Sequence, residues 1–244
     1  MEDQNRLKDF LHRARDPRLV ASHAMWRATQ AYDLIAPTAF SRLYRKVKGT
    51  TMCSNARLRG LYRAVNGVIR EQIPGDIVEC GTARGGSAAL MALALEEASD
   101  RERSVWVFDT FEGLPPPTTA DPDFEIAKRY TGTCLGSLED VSGLFSRLGL
   151  SHRTRFVKGL FQDTLPTAPV AQIAVLHLDG DWYDSIMSCL ENLYDRVSSG
   201  GVIQIDDYGF WEGARKAVHD FFDRRSISPV LTRLDYSGRQ FIKQ

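Results

Sequence analysis

Two apolar runs in the second half of the chain each end in a pair of acids, and those four carboxylates are the residues best placed to do chemistry. The first run is Ile173-Ala174-Val175-Leu176-His177-Leu178, closing on Asp179-Gly180-Asp181; the second is Gly201-Val202-Ile203-Gln204-Ile205, closing on Asp206 and Asp207. Short runs this apolar read as strands buried on both faces. Neighbouring parallel strands lie about 4.8 Å apart, so their tips bring the acids together. Ionised carboxylates that close repel one another, and their pKa values rise unless a cation sits among them. An all-oxygen set suits a hard ion, Mg²⁺ ahead of Ca²⁺ or Mn²⁺. A lone acid after a strand is ordinarily a helix cap or turn residue, which is how Asp184 before Ser185 reads, but caps account for one acid per strand and not two. Asp206 and Asp207 alternate sides in a regular strand, and the turn into Gly209 leaves Asp207 as a ligand or a neighbour. In an extended segment residues i and i+2 share a side. Asp181 would then face whatever Asp179 holds, as a proton acceptor, another ligand or a turn residue.

A second constellation lies upstream. Glu79-Cys80-Gly81-Thr82-Ala83-Arg84-Gly85-Gly86-Ser87 places an acid before a glycine-rich turn and the start of a helix. Gly81 and Gly85 open the backbone to a ligand and the helix amides then face it, which suits a nucleotide-like cofactor. Tight strand–helix packing is the other use of such glycines. The turn lacks the GxGxxG of dinucleotide enzymes, because position 83 is Ala. Asp109 closes the next apolar run, where an acid can accept hydrogen bonds from two ribose hydroxyls.

Positioning these groups requires an alternation of strands and helices. Strands are expected at 76–80, 104–109, 155–157, 173–178 and 201–205, with two closing strands near 230–234 and 240–242 that pair antiparallel. Helices are expected at 88–98, between the two acid-tipped strands, and at 214–222. The result is an α/β fold, a doubly wound, mostly parallel seven-stranded sheet whose ligands bind at the carboxyl ends of its strands. The stretch from Thr110 to Gly149 breaks this rhythm with Pro115-Pro116-Pro117 and reads as a lid or substrate loop. Residues 1–70 read as helices, around 6–15, 22–34 and 55–70, forming an N-terminal cap or arm ahead of a domain over 71–244.

Composition narrows the partners. The formal charge is zero over 244 residues, yet residues 1–70 hold 14 basic against 5 acidic side chains and the remainder 17 against 26. The basic residues alternate with apolar ones such as Leu58, Leu61, Tyr62, Val65 and Val68, the pattern of an amphipathic helix with a solvated basic face rather than a nucleic-acid arm. No apolar stretch is long enough for a membrane span or signal peptide, and the four cysteines are far apart with no CxxC pair, so a cytoplasmic protein is expected.

Five ordered segments carry a resemblance. Val78–Ser87, Phe108-Asp109-Thr110-Phe111-Glu112-Gly113-Leu114-Pro115, Gly159-Leu160-Phe161-Gln162-Asp163-Thr164-Leu165-Pro166, Leu178–Ser185 and Asp206-Asp207-Tyr208 together resemble the macrocin O-methyltransferase family over roughly residues 50–225. The resemblance implies a class I methyltransferase fold using S-adenosylmethionine and Mg²⁺ to methylate a hydroxyl of a sugar or glycosylated natural product, in a protein expected to be a homo-oligomer. It implies cofactor binding by Glu79, Gly81 and Asp109 with Thr82, Gly85 and Ser87 of the same turn, metal binding by Asp179, Asp206 and Asp207, and Asp181 as general base. The Asp179-Gly180-Asp181 triplet also resembles the metal-binding DxD of nucleotide-sugar glycosyltransferases, which leaves Glu79–Gly86 unexplained. A non-catalytic cofactor-binding scaffold is the third reading.

Overall fold

Five apolar segments lie side by side in parallel because each is followed by a connection, most of them helical, that returns the chain to the same end of the sheet. The computed structural model describes residues 38–244, of which Leu43–Gln244 form one compact unit. The helices expected around residues 6–15 and 22–34 lie outside the described residues. The elements in order are α1 (Ala39–Val47), α2 (Asn55–Arg70), β1 (Asp76–Cys80), α3 (Gly86–Glu97), β2 (Val105–Asp109), α4 (Leu138–Arg147), β3 (Thr154–Lys158), β4 (Ile173–Leu178), α5 (Tyr183–Leu193), β5 (Val197–Ile205), α6 (Glu212–Arg224), β6 (Thr232–Arg233) and β7 (Arg239–Ile242). Several short helical turns join them. The seven strands run in the order β3-β2-β1-β4-β5-β7-β6, with β1 to β5 parallel and β7 antiparallel to both β5 and β6. The sheet is thus the expected seven-stranded, mostly parallel one.

Alternation along the strands divides the core into two layers. Val78, Cys80, Leu176, Leu178, Ile203 and Ile205 pack against Ile186, Cys189 and Leu190 of α5 and Ala214, Ala217 and Val218 of α6. The opposite face carries a polar row. Glu79 on β1 pairs in register with His177 on β4, His177 with Gln204 on β5, and Gln204 with Gln240 on β7. A β-carbon on Gly60 of α2 would come within 2.7 Å of Gln204 Oε1, so α2 lies directly over that row. The division expected at residue 70 therefore falls inside the compact unit, at the end of a helix that helps build it.

Two local expectations are corrected. Asp184 does not cap α5; its carboxylate accepts from Thr118 Oγ1 at 2.8 Å. The first amide of α5, Tyr183 N–H, donates instead to Asp121 Oδ1 at 2.7 Å, and Thr118 N–H donates to the other oxygen at 3.1 Å. A buried acid from the long 110–137 connection thus satisfies the helix start. The segment Asp179-Gly180-Asp181 is also not extended: Asp181 sits at φ +58° in a tight turn closed by a hydrogen bond from Trp182 N–H to Gly180 O.

Candidate active site

The strand ends open into a cavity of about 1000 Å³. Gly81, Thr82 and Asp109 line one side, and Asp179, Asp181, Asp206 and Asp207 another. Glu79, Gly85 and Ser87 are not on its wall. Gly85 takes φ +83° at the start of α3, and a β-carbon there would come within 2.8 Å of Val141 and 3.4 Å of Phe145 on α4. That packing and its backbone angle are by themselves enough to call for glycine. Gly81 is tighter still: at φ +86° its β-carbon would lie 1.9 Å from the carbonyl oxygen of Asp179, so glycine lets the ends of β1 and β4 touch. Asp109 accepts the amides of Thr82 and Phe111, each at 2.7 Å, which fixes the turn to the tip of β2. Burial pushes its pKa up, and those amides pull against it.

The four aspartates fall into two overlapping groups that share Asp179, and their surroundings differ. Asp179, Asp181 and Asp207 offer carboxylate oxygens within 4.8 Å of one another. Asp179 and Asp206 form an overlapping group of the same span with Cys53 and His177. Asp206 is ion-paired with Arg57 of α2, which also reaches Asp235 at 3.1 Å. Both cation and imidazole hold Asp206 below the ordinary carboxylate range even though burial alone would raise it. The rest of the cluster moves the other way: burial first, then the neighbouring carboxylates, push Asp179 and Asp181 well up and Asp207 up to about 6. Asp207 Oδ2 is buried and has no hydrogen-bond partner among the described residues. Trp211 donates from Nε1 to Asp181 Oδ1 at 2.8 Å, orienting that carboxylate.

His177 occupies the middle of the buried row. It donates from Nδ1 to Glu79 Oε1 at 2.8 Å and from Nε2 to Asp206 Oδ1 at 3.4 Å. Burial would lower its pKa, yet the bonds to Asp206 and Glu79 outweigh burial and raise it to about 9, so the ring is charged at neutral pH. Thr82 Oγ1 donates to the other Glu79 oxygen at 2.5 Å. Cys53 lies with its sulfur 3.9 Å from Asp179 Oδ2 and 3.8 Å from Asp206 Oδ1; burial, then those acids, push its pKa well up and keep it a thiol. It is delivered by the loop before α2, where Thr50 O accepts the amide of Gly86 at the start of α3.

Cys53, Arg57, His177, Trp211 and Asp235 were not singled out by sequence reasoning. His177 carried a signal, as the only polar residue in an otherwise apolar buried strand. Cys53, Arg57 and Asp235 reach the site from segments distant in sequence, and Trp211 follows Asp207 by four residues; none of them carried a signal. Six carboxylates, with Glu79 and Asp235 counted, face two protein cations, Arg57 and His177. That surplus of acid, the all-oxygen group of Asp179, Asp181 and Asp207 and the orphaned Asp207 oxygen fit a hard divalent cation.

The fold and this cavity together define a class I S-adenosylmethionine-dependent methyltransferase. The chain belongs to the macrocin-O-methyltransferase (TylF) family, whose model matches residues 27–243. It is an O-methyltransferase, and the glycosyltransferase and scaffold readings fall with that membership. The chain is 37% identical over 234 residues to mycinamicin III 3''-O-methyltransferase of Micromonospora griseorubida, covering 91% of each chain. It is 40% identical over 193 residues to 8-demethyl-8-(2,3-dimethoxy-alpha-L-rhamnosyl)-tetracenomycin-C 4'-O-methyltransferase of Streptomyces olivaceus, covering 77% of this chain and 73% of the relative. Among solved structures it is similar to the O-methyltransferase NovP, with a TM-score of 0.75 and 36% identity over 80% of this chain and 82% of that one. No helix among the described residues is long and apolar enough to cross a membrane.

Proposed function

We propose that this enzyme methylates a hydroxyl of a sugar carried on a natural product, with a divalent cation, Mg²⁺ by preference, held by Asp179, Asp206 and Asp207. The carrying observation is that one cavity joins the Gly81–Thr82–Asp109 wall to the four-aspartate cluster. The relatives' acceptors, a mycinamicin and a rhamnosyl tetracenomycin, support a glycosylated acceptor. Gly81, Thr82 and Asp109 would hold S-adenosylmethionine, whose sulfonium methyl is already electrophilic. A bound divalent cation supplies Lewis acidity that makes a neighbouring hydroxyl easier to deprotonate. Each carboxylate oxygen has two lone pairs, so Asp206 can ligate while Arg57 and His177 orient it from behind.

The chain's own contribution is geometry and a proton acceptor. The cavity walls align acceptor and methyl donor, which is most of what a methyl transfer requires. Asp181 takes the acceptor proton: Trp211 fixes its Oδ1, and the carboxylate lies in one group with those of Asp179 and Asp207, oxygens within 4.8 Å of one another. Asp181→Asn keeps shape and removes basicity, so the single-turnover rate with an acceptor the wild type uses should fall by about 10²–10⁴ while Mg²⁺ affinity stays intact. Matched losses of rate and Mg²⁺ affinity would make Asp181 a ligand. Near-normal turnover would remove it from the mechanism.

A further inference from the structure

The cofactor wall and the metal carboxylates are joined inside the protein by an unbroken line of hydrogen bonds. Asp206 Oδ1 accepts from His177 Nε2 at 3.4 Å; His177 Nδ1 donates to Glu79 Oε1 at 2.8 Å; Glu79 Oε2 accepts from Thr82 Oγ1 at 2.5 Å; and Thr82 N–H donates to Asp109 Oδ2 at 2.7 Å. Glu79 and His177 are wholly buried, and neither lines the cavity. Glu79 and His177, set side by side on β1 and β4, carry a desolvation cost that an apolar pair would not. Local stability does not explain such a choice. A need to fix one end of the site relative to the other does.

We propose that His177 is a positioning residue that couples the two ends, so that occupancy of the carboxylate cluster by a divalent cation orders the Thr82–Asp109 turn and tightens binding of the adenosyl cofactor. The proposal rests on the functional reading given above. Neutralising the repulsion among Asp179, Asp206 and Asp207 fixes the tips of β4 and β5. Asp206 then holds the imidazole, the imidazole holds Glu79, and Glu79 holds the hydroxyl of Thr82, whose amide anchors Asp109. Order acquired when the first ligand binds no longer has to be acquired by the second, which is positive cooperativity through a shared conformational element. The sign is diagnostic. A divalent cation and a sulfonium repel through space, so direct electrostatics alone would make the cation weaken cofactor binding. Linkage further requires that the cofactor tighten cation binding by the same factor.

The test is calorimetric and needs no acceptor. S-adenosylmethionine is titrated into wild type, His177→Asn and Thr82→Val, without Mg²⁺ and with Mg²⁺ at saturation, and Mg²⁺ is titrated with and without the cofactor. His177→Asn leaves an amide where Nδ1 stood, able to bond Glu79, but nothing facing Asp206. Thr82→Val cuts the other end of the line and keeps the backbone amide that binds Asp109. Mg²⁺ should tighten cofactor binding in the wild type by at least about fivefold, the lower edge of ordinary coupling, and the factor should fall below about twofold in each variant. Wild type in which both ligands bind with no mutual effect, or with mutual weakening, overturns the relay alone. So does either variant, folded, that retains the full wild-type factor. If His177→Asn does not fold, Thr82→Val decides by itself, since it lies at a turn on the cavity wall. Wild type that binds no Mg²⁺ or no cofactor takes the relay down together with the functional reading beneath it.

Discussion

Asp207 shows how far one residue can be driven by its place. Its carboxylate is buried beside Asp206 with one oxygen unpartnered, and its pKa stands at about 6 against an ordinary 3.8. An acid whose folded pKa is raised holds its proton more tightly in the folded state, so its stabilising contribution is full below about pH 4 and is lost as pH rises through 6. Metal-free protein therefore carries a penalty at neutral pH that Asp207→Asn removes. That variant should be more stable than wild type at pH 7 by about 1–3 kcal/mol in chelator, with the difference shrinking toward zero near pH 4. Chemical denaturation at the two pH values measures it, and a variant less stable than wild type at pH 7 contradicts the account. The type and spacing of the four aspartates were legible in the sequence, because each pair ends an apolar run. What distinguishes Asp206 from Asp207 was not: that depends on Arg57 and His177, which reach the cluster from α2 and from the C-terminal end of β4. Lateral strand register, invisible along a single chain, is what sets Glu79 beside His177.

Helices and strands explain the glycine turn better than a ligand does at one of its two key positions. Gly81 lies on the cavity wall and also allows the close approach of Asp179 O, whereas Gly85 looks away, into Val141 and Phe145 of α4. Gly85→Ala should therefore cost about 1–3 kcal/mol through its positive φ and the displaced α4 contact, while S-adenosylmethionine affinity in the folded variant changes less than threefold. A stability near wild type with a large loss of affinity would return Gly85 to the cofactor. Strand positions were legible because 76–80, 104–109, 173–178 and 201–205 are short apolar runs bounded by turns, and α2 was legible from its apolar stripe up to Arg70, whereas its cap, Ser54, appeared only in the structure. The 110–149 stretch was recognised as a departure, yet its anchor was not. Asp121 reaches the start of α5 across 62 positions, and no local pattern announces a cap that distant.

At the scale of the whole unit, the uneven charge of the chain takes on a structural meaning. The basic residues of α2 read as a solvated face, and Arg70, whose side chain is 76% exposed, is one; Arg57, at 15%, turns inward to pair with Asp206 and Asp235 of the acidic remainder. Helix α2 and the turn between β6 and β7 are thereby tied to the same cavity as β1, β2 and β4, so ligand binding bears on the entire cooperative unit. A ligand that binds only the folded state stabilises by about 2.7 kcal/mol at a hundred times its Kd. For a domain of this size that should raise the unfolding midpoint by about 5–10 °C. S-adenosylmethionine should produce this shift in wild type, and Asp109→Ala should lose most of it, because removing that carboxylate releases the amides of Thr82 and Phe111 as well as any contact with ribose. Asp109→Ala will itself melt lower, so the quantity to read is the shift on adding cofactor, not the midpoint. An equal shift in both proteins would move cofactor binding away from the tip of β2 and from the glycine turn that Asp109 anchors.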